Sequence, residues 1–157
     1  LIVGGVRASL HAAFVLAPRF RAWALALNPR PLVFFHLIRV VGVAFLILHG
    51  QGRLPSAFAV PAGVGDLVVA ALAPGVAFCA DGRTPTRRWF FLAWNIAGLA
   101  DVLYAVLTAM RLRLRDPVEM AAITGFPLSL VPTFVVPMIL ITHFILIAQL
   151  WGRRPPA

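Results

Sequence analysis

Long apolar stretches separated by short polar segments dominate the chain. Four of them are each about 20 residues long, which gives about 30 Å of α-helix and matches the hydrocarbon core of a bilayer. They cover 32–50, 61–80, 89–110 and 130–151. A less apolar stretch at 1–17, interrupted by Arg7 and His11, is predicted as an N-terminal fifth span. The pattern predicts an all-α fold, a polytopic transmembrane helix bundle that forms one domain over 1–157.

Proline and acidic residues mark the boundaries between these stretches. Pro61 is expected in the first turn of its helix, where its missing N–H costs nothing, with 51–60 as an interfacial turn before it. The run Asp116-Pro117-Val118-Glu119 has the form of a helix start and predicts a short surface helix over about 117–123. Short interfacial helices are therefore expected beside the spans.

Composition agrees with a membrane protein. Of the 157 residues, 61% are hydrophobic and 12% are charged, and the mean hydropathy is +0.93; soluble domains carry about 25% charged residues. The chain has no lysine, which excludes a Schiff base to a retinal- or pyridoxal-type cofactor. Cys79 is the sole cysteine, so neither an internal disulfide nor a CxxC motif exists.

The net charge of +9 comes from arginines that flank the apolar stretches. Placing the segments 18–31 and 81–88 and the C-terminus on one side gives that side eight arginines, against four on the other side. The positive-inside rule makes the richer side cytoplasmic, which predicts a bacterial inner-membrane protein with a cytoplasmic C-terminus. We expect membrane lipids as partners, together with a partner membrane subunit or a second copy of the chain, and no nucleic acid.

Ionisable groups within spans are functional candidates because each costs free energy unless it is paired or hydrated. Arg39 lies inside 32–50, and Asn95 and Asp101 lie inside 89–110. Depth along the two helices predicts that Arg39 pairs with Asp101, and that Asn95, on the same face of its helix, braces the pair. The pair is interpreted either as a static device that fixes helix packing or as a binding site for a small solute.

Asp66 is a further candidate ligand-binding residue. A helix that begins at Pro61 places it in the first turn, near the outer face, where a carboxylate complements the helix dipole and stays hydrated. The alternative interpretation places Asp66 at the mouth of a polar cavity leading to Arg39. An anionic solute suits Arg39 only if Asp101 does not neutralise the guanidinium.

The histidines favour a second hypothesis. His36 and His49 are thirteen residues apart on one span, a spacing similar to that of b-type cytochromes, in which paired histidines ligate stacked haems. The last span supplies His143 at a compatible depth, so His36 and His143 are the candidate ligands of one haem or metal ion. Lone histidines in spans are more often hydrogen-bonded structural groups.

No residues stand out as catalytic. The sequence contains no GxSxG, HExxH, GxGxxG or P-loop pattern. The first function hypothesis is therefore a non-enzymatic membrane protein that binds or passes a small solute at Arg39, Asp101 and Asn95, with Asp66 near the entrance. The alternatives are a haem-binding subunit of an electron-transfer complex and a structural or assembly subunit.

Four motifs are spread along the chain: RxxGxxF at Arg39–Phe45, LPxxFAxPAGxGD at Leu54–Asp66, NxxGLxD at Asn95–Asp101 and PTFxxP at Pro132–Pro137. Together they resemble an uncharacterised group of small bacterial multi-span proteins. The resemblance implies a family of membrane proteins and no mechanism.

Overall fold

The chain folds into helices throughout the part that the structure describes. The computed structural model describes residues 18–80 and 84–152, so the N-terminal span predicted at 1–17 lies outside the described residues. The helices are α1 (Pro18–Ala26), α2 (Pro29–Gly50), α3 (Ser56–Cys79), α4 (Pro85–Arg115) and α5 (Val131–Trp151). Helices α2 to α5 are each long and apolar enough to cross a membrane, which confirms the predicted all-α bundle with four spans.

The four long helices form an up-and-down bundle. Short connections join α2 to α3 and α3 to α4, so these neighbours run antiparallel. Two apolar clusters fill the bundle interior towards its opposite ends. One includes Val33, Phe91, Trp94 and Leu146, and the other includes Phe45, Phe58 and Met120. The buried polar groups at Arg39 lie between these clusters, near the middle of the spans.

Helix α3 begins at Ser56, five residues before the predicted start, and Pro61 lies inside it. Pro55 has an extended backbone and precedes the first turn, and its carbonyl accepts the N–H groups of Phe58 and Ala59. Phe58 and Ala59 are buried, and burial of this first turn outweighs the cost of Pro61. The earlier start places Asp66 about 15 Å into the helix instead of in its first turn.

The segment between α4 and α5 also differs from the prediction. Asp116 is the C-terminal cap of α4, and its Oδ1 accepts the N–H of Val118 at 2.8 Å. This contact closes a turn, and helical geometry appears only in the single 3-10 turn Ala121–Ile123. Met120 and Ile123 are buried against the bundle and anchor the segment.

Helix α5 opens with a π-helical turn, Val131–Val135, before regular α-helix from Val136. The N–H of Val136 bonds to the carbonyl of Val131, five residues earlier. Pro132 and Pro137 have no N–H to donate, so they leave carbonyls of the preceding turn without their usual partners. The wider turn accommodates the two prolines at the start of the span.

Helix α1 is attached to the bundle by Gln149 of α5. Its Nε2 donates to the carbonyls of Ala24 and Leu27, at 2.9 and 3.0 Å. Trp23 on α1 is exposed, as are Trp89 at the start of α4 and Trp151 at the end of α5. Tryptophan at these helix ends suits a membrane–water interface.

Replacing Gln149 with leucine is expected to release α1, because the hydrogen bonds to Ala24 in the helix and to Leu27 directly after it disappear. Limited trypsin digestion in detergent should cleave at Arg21 about thirtyfold faster than in the wild type, since each of the two lost bonds is worth about 1 kcal/mol. The matched control is Gln51→Leu, a change of an exposed glutamine in the α2–α3 connection. Equal cleavage rates in all three proteins would show that Gln149 does not hold α1.

Candidate functional site

Arg39 is fully buried in the middle of the bundle and donates hydrogen bonds to two other helices. Its Nε donates to Oδ1 of Asp66 on α3 at 2.7 Å. Its Nη2 donates to Oδ2 of Asp101 on α4, and its Nη1 donates to the carbonyl of Gly98 at 3.1 Å. The predicted Arg39–Asp101 pair is therefore present, and Asp66 is a second carboxylate on the same guanidinium.

Local geometry in α2 aims Arg39 inward. Residues His36–Val41 form a 3-10 helix, which has three residues per turn and brings every third side chain onto one line. Helix α2 buries Pro29 in its first turn, and from Val33 onwards its buried positions follow this period of three. They are Val33, His36, Arg39, Gly42, Phe45 and Leu48.

Glycines let the three helices approach closely enough for these contacts. A Cβ atom on Gly42 would lie 2.8 Å from the carbonyl oxygen of Gly63 and 2.7 Å from Cβ of Asp66. A Cβ atom on Gly65 would overlap the carboxylate of Asp101. The close crossings of α2 with α3 and of α3 with α4 therefore both require glycine beside the ion pairs.

The charges at this site do not cancel when both carboxylates are ionised. One guanidinium faces two carboxylates, which leaves one excess negative charge. Arg39 has no exposed surface, whereas the side chains of Asp66 and Asp101 are 14% and 19% exposed. The partial exposure at this cluster therefore belongs to the carboxylates and not to the arginine, whose three hydrogen-bond partners enclose it.

A second polar layer lies one turn away, between α2, α4 and α5. His143 Nδ1 and Asn95 Oδ1 are 3.1 Å apart, and His36 Nε2 and Thr142 Oγ1 are also 3.1 Å apart. The two imidazole rings are in contact, with centroids 4.2 Å apart. All four side chains are buried.

Trp94 closes this histidine layer on one side. Its ring lies 5.0 Å from the ring of His36 and 5.6 Å from that of His143, measured between centroids. Its Nε1 donates to the carbonyl of Val69 on α3 at 3.2 Å. The layer is therefore walled by an aromatic ring and linked to all four spans.

The prediction that Asn95 braces the Arg39–Asp101 pair is wrong. Asn95 Nδ2 donates to the carbonyl of Phe91 at 2.9 Å, and its Oδ1 faces His143. The carbonyl of Gly98, one turn along α4, takes the place at Arg39 that the prediction gave to Asn95. Every residue has a backbone carbonyl, so the sequence could not show that Arg39 donates to the carbonyl of Gly98 and not to the side-chain amide of Asn95.

His36 and His143 do not fit an axial pair for haem. Bis-histidine ligation places the two ligating nitrogens on opposite faces of the porphyrin, about 4 Å apart, with the ring centres farther apart still. Here the ring centroids themselves are 4.2 Å apart, and Trp94 contacts both rings. Within the described residues, no group of three or more His, Cys, Asp or Glu side chains is arranged to hold a metal ion.

Sequence reasoning missed Thr142 and Trp94 of the histidine layer, as well as Gln149, which contacts the α1 segment outside both layers. Thr142 and Gln149 carry no charge and lie within a strongly apolar span, and Trp94 was hidden among the aromatic residues at the start of α4. The spacing of three between His36, Arg39 and Gly42 was a usable signal, because it departs from the period of 3.6 expected for an α-helix.

Comparison with known proteins identifies a family but no activity. No curated protein and no solved structure matches the chain. The family described as a domain of unknown function (DUF8737) matches residues 1–151, almost the whole chain. The motifs that contribute to the site, RxxGxxF, PAGxGD and NxxGLxD, lie within the matched residues. The chain is therefore a member of the DUF8737 family, whose fold here is an all-α bundle with four helices able to span a membrane.

Proposed function

We propose that this protein binds a small monovalent cation or proton at Asp66 and Asp101 and passes it across a bacterial inner membrane. The observation that carries the proposal is the charge of the site: two carboxylates share one guanidinium near the middle of the spans. An uncompensated charge at membrane depth is costly, and one bound positive charge removes it.

Each carboxylate is equipped to take part in this binding. Asp66 and Asp101 use one oxygen each to accept from Arg39, and no described residue donates a hydrogen bond to the other oxygen. Both side chains retain some exposure, whereas Arg39 has none. Arg39 holds the two acidic side chains on neighbouring helices at a fixed separation. Asn95 belongs to the adjacent histidine layer and contributes to the site indirectly.

The proposed orientation rests on the arginine distribution. The end of the bundle that carries Arg19, Arg21, Arg30, Arg87 and Arg88, together with the exposed tryptophans, faces the cytoplasm and its anionic lipids. Helix α5 ends at Trp151 at the same end of the bundle. Cysteine accessibility of single-cysteine variants at Arg19 and Arg53, made in a Cys79→Ala background, tests this orientation in intact cells.

Replacing Asp101 or Asp66 with asparagine is expected to abolish cation movement. Proteoliposomes containing the purified protein are given a membrane potential, and flux is followed for H⁺ with an internal pH dye and for Na⁺, K⁺ and NH₄⁺ by ion-selective readout. Each variant should lose the flux of the transported ion by about tenfold or more, because removing a charge at low dielectric costs well over 1.4 kcal/mol of binding.

Asp116→Asn is the matched control, since Asp116 caps the same helix outside the ion cluster and asparagine keeps its acceptor oxygen. This control should transport like the wild type. Absence of potential-driven flux of every tested ion in the wild type, or unchanged flux in both site variants, would contradict the proposal.

A structural or assembly role is the second candidate, because Arg39 also joins three helices. It predicts that an Arg39→Asp, Asp101→Arg charge exchange restores the stability lost in either single variant. Under the cation-binding proposal the exchange restores stability but not flux, because the two free carboxylate oxygens no longer occupy their places.

A further inference from the structure

A cavity of about 570 Å³ lies at the end of the bundle where α2 connects to α3 and where α4 ends. One wall is the α2–α3 connection and includes Arg53 and Leu54, and the other is the segment after α4 and includes Val118 and Glu119. The volume is within the range of about 300–1,000 Å³ that is usual for ligand sites. Neither the ion cluster nor the histidine layer lines this cavity, so it is separate from both.

The turn at the end of α2 fixes the position of Arg53. Gly52 has a φ of +69°, in the left-handed region that favours glycine. The N–H of Gly52 bonds to the carbonyl of His49, and the N–H of Arg53 bonds to the carbonyl of Leu48, both at 2.8 Å. These two bonds form the Schellman motif that commonly ends a helix. The backbone of Arg53 is therefore held by α2, while its side chain is exposed at the cavity.

The wall that carries Glu119 is also held in place. Asp116 Oδ1 accepts the N–H of Val118 at 2.8 Å, which closes the turn directly before Glu119. Met120, the next residue, is buried in an apolar cluster that also contains Leu54 from the opposite wall. The two walls therefore rest on one packed cluster, which keeps their separation fixed.

Arg53 and Glu119 bring opposite charges to this cavity without pairing. Among the residues that the structure describes, the ion pairs are those of Arg39 with Asp66 and Asp101. The side chains of Arg53 and Glu119 are exposed. Two charges of opposite sign that are held apart suit a ligand that carries both signs, because each end of the ligand meets its counterpart.

The cavity lies at the depth of lipid headgroups. Helix α2 ends at Gly50 and α3 begins at Ser56, so the residues between them lie at the end of spans that are about 30 Å long. Val118, which lines the cavity, is 78% exposed, and Phe126 on the same segment is 84% exposed. Apolar side chains exposed at this depth suit contact with lipid. A lipid can therefore place its headgroup in the cavity and its apolar part beside Val118.

The charges of the cavity select among phospholipid headgroups. A guanidinium binds a phosphate through two parallel N–H groups. A carboxylate accepts N–H groups from a primary ammonium, whereas the quaternary ammonium of phosphatidylcholine has no N–H to donate. The headgroup of phosphatidylglycerol carries no cation for Glu119, and the nearby carboxylate of Asp116 repels its negative charge.

We propose that this cavity binds the headgroup of phosphatidylethanolamine, with its phosphate on Arg53 and its ammonium group on Glu119. The glycerol and acyl chains lie on the side of the exposed Val118. The proposal is independent of cation movement at Asp66 and Asp101, and it gives the protein a specific lipid partner.

Native mass spectrometry tests the proposal with the full chain in micelles that contain equal amounts of phosphatidylethanolamine, phosphatidylcholine and phosphatidylglycerol. The ethanolamine lipid should be retained about tenfold more than either of the others, because it alone supplies both a phosphate and N–H donors. Glu119→Gln should remove its advantage over phosphatidylcholine, and Arg53→Gln should lower retention of both zwitterionic lipids about tenfold. Arg113→Gln is the matched control, because Arg113 is exposed at the end of α4 but does not line the cavity.

A methylation series of the headgroup isolates the role of Glu119. Monomethyl and dimethyl phosphatidylethanolamine keep the positive charge but lose one N–H donor at each step. Retention should therefore fall stepwise towards that of phosphatidylcholine in the wild type and stay level in Glu119→Gln. Unfolding in lipid-free micelles should be the same for both proteins, which separates a lost lipid contact from a damaged fold.

Three results would overturn the proposal. The first is equal retention of the three lipids by the wild type, or a preference for phosphatidylethanolamine that persists in Glu119→Gln. The second is a methylation series without any fall, which would mean that Glu119 accepts no N–H from the headgroup. The third is equally effective competition by glycerophosphoethanolamine, the same headgroup without acyl chains, which would make the ligand a soluble molecule instead of a lipid.

Discussion

Replacing Arg39 with glutamine is expected to lower the free energy of unfolding by about 3–5 kcal/mol, the range found when one partner of a buried ion pair is removed. The loss is large because two carboxylates are left at membrane depth without their shared cation. Three hydrogen bonds between α2 and α4 or α3 disappear in the same step. Reversible unfolding in mixed micelles, followed by circular dichroism, measures the difference.

Two further variants show whether charge or packing causes the loss. Arg53→Gln removes an exposed arginine between α2 and α3 and should leave stability unchanged. The triple variant Arg39→Gln, Asp66→Asn, Asp101→Asn removes every charge of the cluster and should recover a large part of the loss, because no buried charge remains unpaired. An Arg39→Gln protein within about 1 kcal/mol of the wild type would mean that the cluster contributes little to folding.

Gly42→Ala should destabilise the crossing of α2 and α3 by about 1–3 kcal/mol, the usual cost of overpacking. The added methyl group meets the backbone carbonyl of Gly63 at 2.8 Å, and a backbone atom cannot move aside as a flexible side chain can. The same group lies 2.7 Å from Cβ of Asp66, so separating the helices also lengthens the bond between Arg39 and Asp66. Unfolding and cation flux should therefore both change.

Gly75→Ala is the matched control because it makes the same chemical change within the α3 helix. Its Cβ atom would meet nothing within 4 Å, and alanine is favoured over glycine in a helix by up to about 1 kcal/mol. The two substitutions should thus move stability in opposite directions. Equal effects would show that the close approach at Gly42 does not matter to the bundle.

The position of the ion cluster was partly predictable from the sequence. An unpaired charge inside the membrane costs several kcal/mol, and an arginine and an aspartate at a compatible depth can remove that cost by pairing. The pairing of Arg39 with Asp101 followed from this argument. The four spans followed from length and hydropathy, because the bilayer fixes both.

Asp66 was harder to place because its depth depends on where α3 begins. Pro61 has the pattern of a helix start, so the sequence placed the beginning of α3 there. The helix begins at Ser56 because burial of Phe58 stabilises the extra turn, and that burial depends on packing against other helices. Asn95 was misassigned for a related reason. Depth and face bring it near Arg39, but the choice between a guanidinium and an imidazole depends on side-chain packing against α5.

The alignment of the two polar layers depends on the 3-10 winding at the centre of α2, because His36 and Arg39 both lie in that segment. Six residues at three per turn sweep about 120° more than the same residues would in an α-helix, and they rise about 3 Å farther. If His36–Val41 relaxed to α-helical winding, the two ends of the span would be rotated by a third of a turn relative to each other. His36 and Gly42 would then no longer share a face, and one of them would turn towards lipid. The tighter winding of these six residues therefore places the histidine, the ion-paired arginine and the glycine of the helix crossing on one face of α2.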